Sequence, residues 1–180
     1  MVNSDVLPSD VVAVESKSRG YLFYVNNKFQ LAYLLGPEGK GKDFQVVVIK
    51  DAVNKPIYVN SQVTQIAAIS WVNPQSGSRE IRVYYSAKDT KILSEVYLTN
   101  EGIWTEGALH QGNKFAVKAG SSISATVTRG PDSKPTGIKV YAAKDDEFNQ
   151  YDLPNIAVFQ TDFGFEWNDP SIITSKVASY

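Results

Sequence analysis

The chain has no cysteine, a single histidine and a single methionine among 180 residues. Without cysteine there is no disulfide framework, no thiolate metal site and no thiol nucleophile, a composition that suits a reducing compartment. The lone imidazole, His110, leaves any metal to carboxylates. The acidic run Asp145-Asp146-Glu147 lacks the glycine and ligand rhythm of a calcium loop, so it reads as a solvated hairpin tip and no cofactor is expected. Net charge is nearly absent as well, with 18 basic against 19 acidic residues, which removes the electrostatic footprint of a nucleic-acid binder and the basic face of a lipid binder. No apolar run reaches the roughly 18 residues of a membrane span, and residues 1–8 have neither the charged nor the apolar region of a signal peptide. The expectation is a cytoplasmic protein, or one released without a signal peptide, with no nucleic-acid or membrane partner. A helical apolar period is missing too, as are the G-x-S-x-G elbow and the phosphate-loop spacing that residues 36–42 superficially suggest.

What the chain does have is aromatic residues, 10 Tyr, 8 Phe and 3 Trp, many beside β-branched neighbours. That composition favours an all-β protein. Arg79-Glu80-Ile81-Arg82-Val83-Tyr84-Tyr85 alternates with period two, placing Ile81, Val83 and Tyr85 on one face of a strand and Arg82 and Tyr84 on the other. The unit recurs as Gly20-Tyr21-Leu22-Phe23-Tyr24 and as Gly137-Ile138-Lys139-Val140-Tyr141. Three rounds of about four short strands follow, over about 11–60, 61–120 and 121–170, with residues 163–167 closing the third and residues 171–180 read as a linker. Four-stranded units repeated side by side are the blades of a β-propeller, and the chain reads as one domain of three blades. Closure of a propeller takes roughly four to eight blades, so two copies joined head to tail as a homodimer would complete six. A sandwich of two sheets is the plainer alternative.

Ile66-Ala67-Ala68-Ile69-Ser70-Trp71, then Ile81-Arg82-Val83-Tyr84-Tyr85, Leu93-Ser94-Glu95-Val96-Tyr97 and Gly102-Ile103-Trp104-Thr105-Glu106-Gly107 together resemble one blade of the fungal fucose-specific lectins. The likeness covers roughly residues 60–145. It implies a six-bladed propeller that holds its sugar between neighbouring blades, with Arg82 and Glu95 as the sugar-binding pair and Trp104 as the stacking residue.

The chemistry of such a site can be argued from the residues themselves. A neutral deoxy-sugar offers hydroxyls on one side and a methyl group with ring hydrogens on the other. Arg82 supplies donors in a fixed fork, Glu95 accepts, Trp104 gives a flat apolar plate, and Tyr84 and Tyr97 add wall. The plain counter-reading is a cross-strand ion pair worth a few tenths of a kcal/mol, about 0.2–1, with Trp104 as packing. The other rounds depart from the pattern: Lys139 and Tyr151 stand for the pair in the third, and Leu22 takes the arginine position in the first. Lysine lacks the planar fork. The expected function is non-catalytic binding of fucosylated glycans. The alternative is a propeller enzyme, a cyclase or isomerase, acting on a small apolar metabolite by shape and hydrogen bonding. A scaffold binding protein through propeller edges is the third possibility.

Overall fold

The computed structural model describes residues 8, 10–38, 43–111, 115–148, 154–162 and 166–174. Among them stand three antiparallel sheets of four strands each, every sheet built from strands consecutive in sequence. The first holds β1 (Val11–Ser16), β2 (Arg19–Val25), β3 (Leu31–Leu35) and β4 (Gln45–Val48). The second holds β5 (Ala67–Val72), β6 (Arg79–Ser86), β7 (Leu93–Thr99) and β8 (Thr105–Glu106), and the third β9 (Ile123–Arg129), β10 (Pro135–Phe148), β11 (Pro154–Thr161) and β12 (Ser171–Ile172). This is the repeated four-stranded blade that the sequence predicts, and not a sandwich of two sheets.

Local chemistry sets the turns. Lys17 and Ser18 both adopt left-handed backbone, φ 51° and 63°, the geometry of a two-residue hairpin turn whose twist matches that of its strands. Before β6, the Asn73 side chain accepts from the Gln75 and Ser76 amides, and Gly77 takes φ 70°, which glycine adopts without steric cost.

The middle sheet is buried on both sides, one face largely apolar and the other combining apolar residues with buried Arg82, Glu95 and Ser86. Seven of the eight residues of β6 are buried. Ile81, Val83 and Tyr85 pack with Val96, Leu98 and Trp104 against Tyr21, Phe23 and Tyr33 of the first sheet. Ala67, Ile69, Trp71, Tyr84 and Leu93 pack on the other side against Ile138, Val140, Ala142 and Phe159 of the third. Each sheet thus presents one face, here called the forward face, to the rear face of the next.

Two local expectations are overturned. The acidic run is no hairpin tip: Asp145, Asp146 and Glu147 lie within β10, and Asp145, half-buried, pairs at 3.1 Å with Lys91 in the turn between β6 and β7. The third sheet takes its fourth strand from Ser171–Ile172, which pairs with Val158 and Ala157 inside the stretch read as a linker, while residues 163–165 of the expected closing stretch lie outside the described residues. Trp167 is drawn instead toward the second sheet, where its indole N–H finds an acceptor.

Candidate functional site

Arg82 and Tyr84 project from the forward face of β6, toward the third sheet. Across the ladder Arg82 stands opposite Tyr97 and Tyr84 opposite Glu95, so Arg82 and Glu95 meet on the diagonal, Arg82 Nη1 lying 3.2 Å from Glu95 Oε2. Their side chains are only 8% and 1% exposed. The guanidinium lies between two rings, 5.6 Å from the centre of Trp71 and 5.7 Å from that of Tyr97, positions that favour a cation over an aromatic face. Glu95 Oε1 accepts from the Leu109 amide at 3.3 Å and from the Trp167 indole N–H at 2.9 Å. Gly107 leaves room for the carboxylate, since a Cβ there would overlap its Cγ, Cδ and Oε1.

Burying a carboxylate and a guanidinium costs several kcal/mol for each ion, and only a satisfied network offsets it. Glu95 has that network. Two neighbouring polar groups do not: Arg82 Nε and the Tyr84 hydroxyl are buried without a hydrogen bond of ordinary length and angle. Burial, reinforced by the adjacent Glu95 charge, pushes the Tyr84 phenol well above its ordinary pKa despite the nearby guanidinium, so it remains a neutral donor. Among the described residues, Arg82 Nε and the Tyr84 hydroxyl thus keep capacity for a further partner.

Four of the five residues singled out from the sequence come together here: Arg82, Glu95, Tyr84 and Tyr97. Trp104 does not. It lies on the rear face of the second sheet, edge-on to Phe23 at 5.8 Å and tilted against Tyr33 at 5.9 Å, in the core shared with the first sheet. Nor is the Arg82–Glu95 pair the exposed, weakly coupled ion pair of the plain reading, because it is buried.

Register explains the exchange of tryptophans. Arg82 is opposite Tyr97, which is opposite Thr105, and Trp104 precedes Thr105. Lys139 is opposite Gln160, whose carbonyl accepts from the Asn168 amide, and Trp167 precedes Asn168. Trp167 is thus the third-sheet counterpart of Trp104. Each tryptophan reaches back to the preceding sheet, so the aromatic partner of Arg82 comes from the following one. In the first sheet the same chain of partners runs Tyr21, Leu35, Gln45, with Phe44 in the tryptophan place. Tyr21 rather than Leu22 therefore corresponds to Arg82, and Tyr33, opposite Phe23, to Glu95. In the third sheet Lys139 holds the arginine place as expected, but the residue opposite Tyr141 is Val158; Tyr151 lies outside the described residues. Trp167, Trp71 and the Leu109 amide were not singled out from the sequence. The signal that points to Trp167 is its recurrence, one aromatic per round at positions 44, 104 and 167.

The equivalent cleft between the first and second sheets contains a cavity of about 490 Å3 lined by Tyr21, Tyr33 and Trp104, with Arg19, Lys50 and Glu101 also on its wall. Burial raises the Tyr21 phenol pKa, with Glu101 adding to the effect. The charged pair of the second cleft is here replaced by two phenols.

No family model matches the chain, and no curated relative matches it. Solved structures do. A fucose lectin from Kordia zhangzhouensis, in complex with methyl-fucoside, superposes with a TM-score of 0.58 at 19% identity, covering 90% of this chain and 97% of that one. A fungal lectin from Aleuria aurantia, described as a six-bladed β-propeller, gives 0.63 at 18% identity over 91% of this chain and 47% of its own. A mutant of the same lectin in complex with Fucα1-6GlcNAc gives 0.65 at 20% identity over 94% and 50%. The fold is a half-propeller. Its three blades span about half the length of the Aleuria aurantia chains and nearly the whole of the Kordia chain.

Proposed function

We propose that the half-propeller binds fucosylated glycans, without performing chemistry, in the cleft between its second and third blades, and that two copies joined head to tail form a homodimeric ring of six blades. The carrying observation is the set of buried Arg82 and Glu95 with half-buried Trp167, drawn from two adjacent blades, beside Arg82 Nε and the Tyr84 hydroxyl, which lack a hydrogen bond of ordinary length and angle among the described residues. A guanidinium fork and a carboxylate suit vicinal hydroxyls, and an indole suits the apolar face of a deoxy-sugar. The likeness to lectins solved with methyl-fucoside and Fucα1-6GlcNAc supports the ligand class. The cleft's described residues include no nucleophile paired with a base, which supports binding over catalysis.

In this reading a sugar hydroxyl replaces the Trp167 N–H at Glu95 while the indole turns its face to the ring. The other two blades hold Tyr21 with Tyr33, and Lys139 with Val158, at the places of the pair, so one fucose site per chain is expected. Calorimetric titration with methyl α-L-fucoside tests it. Binding at one site per chain, weakened at least tenfold by Trp167→Phe, supports the reading. Silence in the titration and on a fucosylated glycan array sinks it.

A further inference from the structure

The tryptophan position is filled three times, and its three occupants differ in surroundings. Trp104 is 8% exposed because it is seated on the forward face of the first sheet. Trp167 is seated on that of the second. Phe44, their counterpart in the first sheet, is 58% exposed. It does not stand alone on that rear face. Val11 and Val46 are 53% and 68% exposed, and the strand register puts Ala13, Leu22, Tyr24 and Leu34 on the same side. An antiparallel sheet with one face in water alternates apolar and polar residues, whereas this sheet is largely apolar on both faces, with Glu15 the charged residue at the edge of the rear one, the pattern of a sheet covered on both.

The face that covers such a surface is known from within the chain, where forward face packs on rear face twice. One forward face is left uncovered among the described residues, that of the third sheet. There Lys139, Tyr141 and Val158, all half-buried, occupy the places of Arg82, Tyr84 and Glu95. Its inner rows are apolar, Tyr141 beside Val158 and Ala143 beside Ile156, and its outer row is polar, Lys139 beside Gln160.

We propose that the rear face of the first sheet receives the third-sheet forward face of a second copy of this chain, with Phe44 seated against Lys139 of the partner subunit and Tyr141 of the partner subunit. The proposal rests on the six-blade ring and names the residues that close it. The aliphatic stem of the lysine lies along the phenyl ring with its ammonium at the ring face, an arrangement favourable for a cation on an aromatic. The junction makes a third kind of cleft, shared between copies and carrying a cation without a facing carboxylate. In a two-fold ring it occurs twice, so each interface substitution is felt twice.

Sedimentation of the 180-residue chain tests this, with circular dichroism to confirm folding. The wild-type chain is expected to be a dimer. Phe44→Asp should weaken self-association by on the order of 10^3-fold, from the lost burial of a large side chain at both junctions. Phe44→Trp should preserve it, and so should Ile103→Asp, at an exposed site off this face. If Phe44→Asp fails to fold, Val46→Lys carries the same expectation. A dimer that persists with the substituted rear face overturns the proposal and the six-blade ring with it, whereas fucoside binding in the second cleft is read separately by calorimetry. A wild-type chain that stays monomeric overturns both the proposal and the ring.

Discussion

The indole N–H of Trp167 donates to Glu95 Oε1 across 2.9 Å, tying the third sheet to the ion pair of the second. Glu95 is thus the meeting point of two sheets. The tryptophan that completes its surroundings comes from the following blade, which separates it from the tryptophan nearest in sequence.

The two tryptophans should therefore respond differently to the same change. Trp104→Leu removes an indole from the aromatic core with Phe23 and Tyr33 and should cost about 2–4 kcal/mol of stability, with fucoside affinity unchanged. Trp167→Leu, at a half-buried position, should cost less stability and reduce affinity at least tenfold. Urea unfolding and calorimetry on both variants provide the comparison; a fucoside affinity that follows Trp104 instead would place the site in the first cleft.

Removing one member of the buried pair separates structure from recognition. Arg82→Met leaves Glu95 buried without its counter-ion, and should cost about 3–5 kcal/mol. Adding Glu95→Gln removes that charge and retains an acceptor for Leu109 and Trp167, so the double variant should return to within about 1 kcal/mol of wild type. Sugar binding should be absent from both. Recovery of binding along with stability would make the pair purely architectural.

Gly107→Ala tests the fit of the carboxylate. The added methyl overlaps the Glu95 side chain, which has to shift and lengthen its contact with Arg82. A loss of about 1–3 kcal/mol is expected, together with weaker fucoside binding. A variant with wild-type stability and affinity would show that Glu95 has another place to sit.

Alkaline pH gives an independent readout. The Tyr84 phenol has its pKa raised in the folded state, so above the unfolded value near 10 the unfolded chain loses its proton first. The stabilising contribution is present below about pH 10 and is lost as pH rises toward the folded value. Tyr84→Phe should leave stability near neutrality within about 1 kcal/mol, since the hydroxyl has no ordinary hydrogen bond to lose, and make the decline above pH 10 shallower. Tyr85, also raised by burial, keeps part of that decline in the variant. Urea unfolding at pH 8 and pH 11 measures the difference; an unchanged alkaline slope would count against a buried neutral phenol at Tyr84.

The repeated blade was legible because alternation is local: Ile81, Val83 and Tyr85 against Arg82 and Tyr84 is decided by the pleat alone. So was the Arg82–Glu95 pair, both members lying on neighbouring strands of one sheet. The aromatic partner was not legible, because contacts between sheets depend on which face each strand turns outward, and the stretch around Trp104 fits either side equally well until register fixes it. Leu22 was mistaken for the arginine place by a single residue, and in a strand that slip exchanges the two faces. Asp145-Asp146-Glu147 misled for a different reason, since a run of charges need not mark a loop where a neighbouring turn supplies a lysine such as Lys91.

Forward-on-rear packing also gives the blades a sense of circulation. Every Trp-type residue points backward along the chain, so two rear faces brought together would confront ring with ring and leave both receiving surfaces empty. In the proposed ring growth is consequently one-way: copies would add like tiles cut with a tongue on one side and a slot on the other, and a closed circle would leave neither tongue nor slot unfilled.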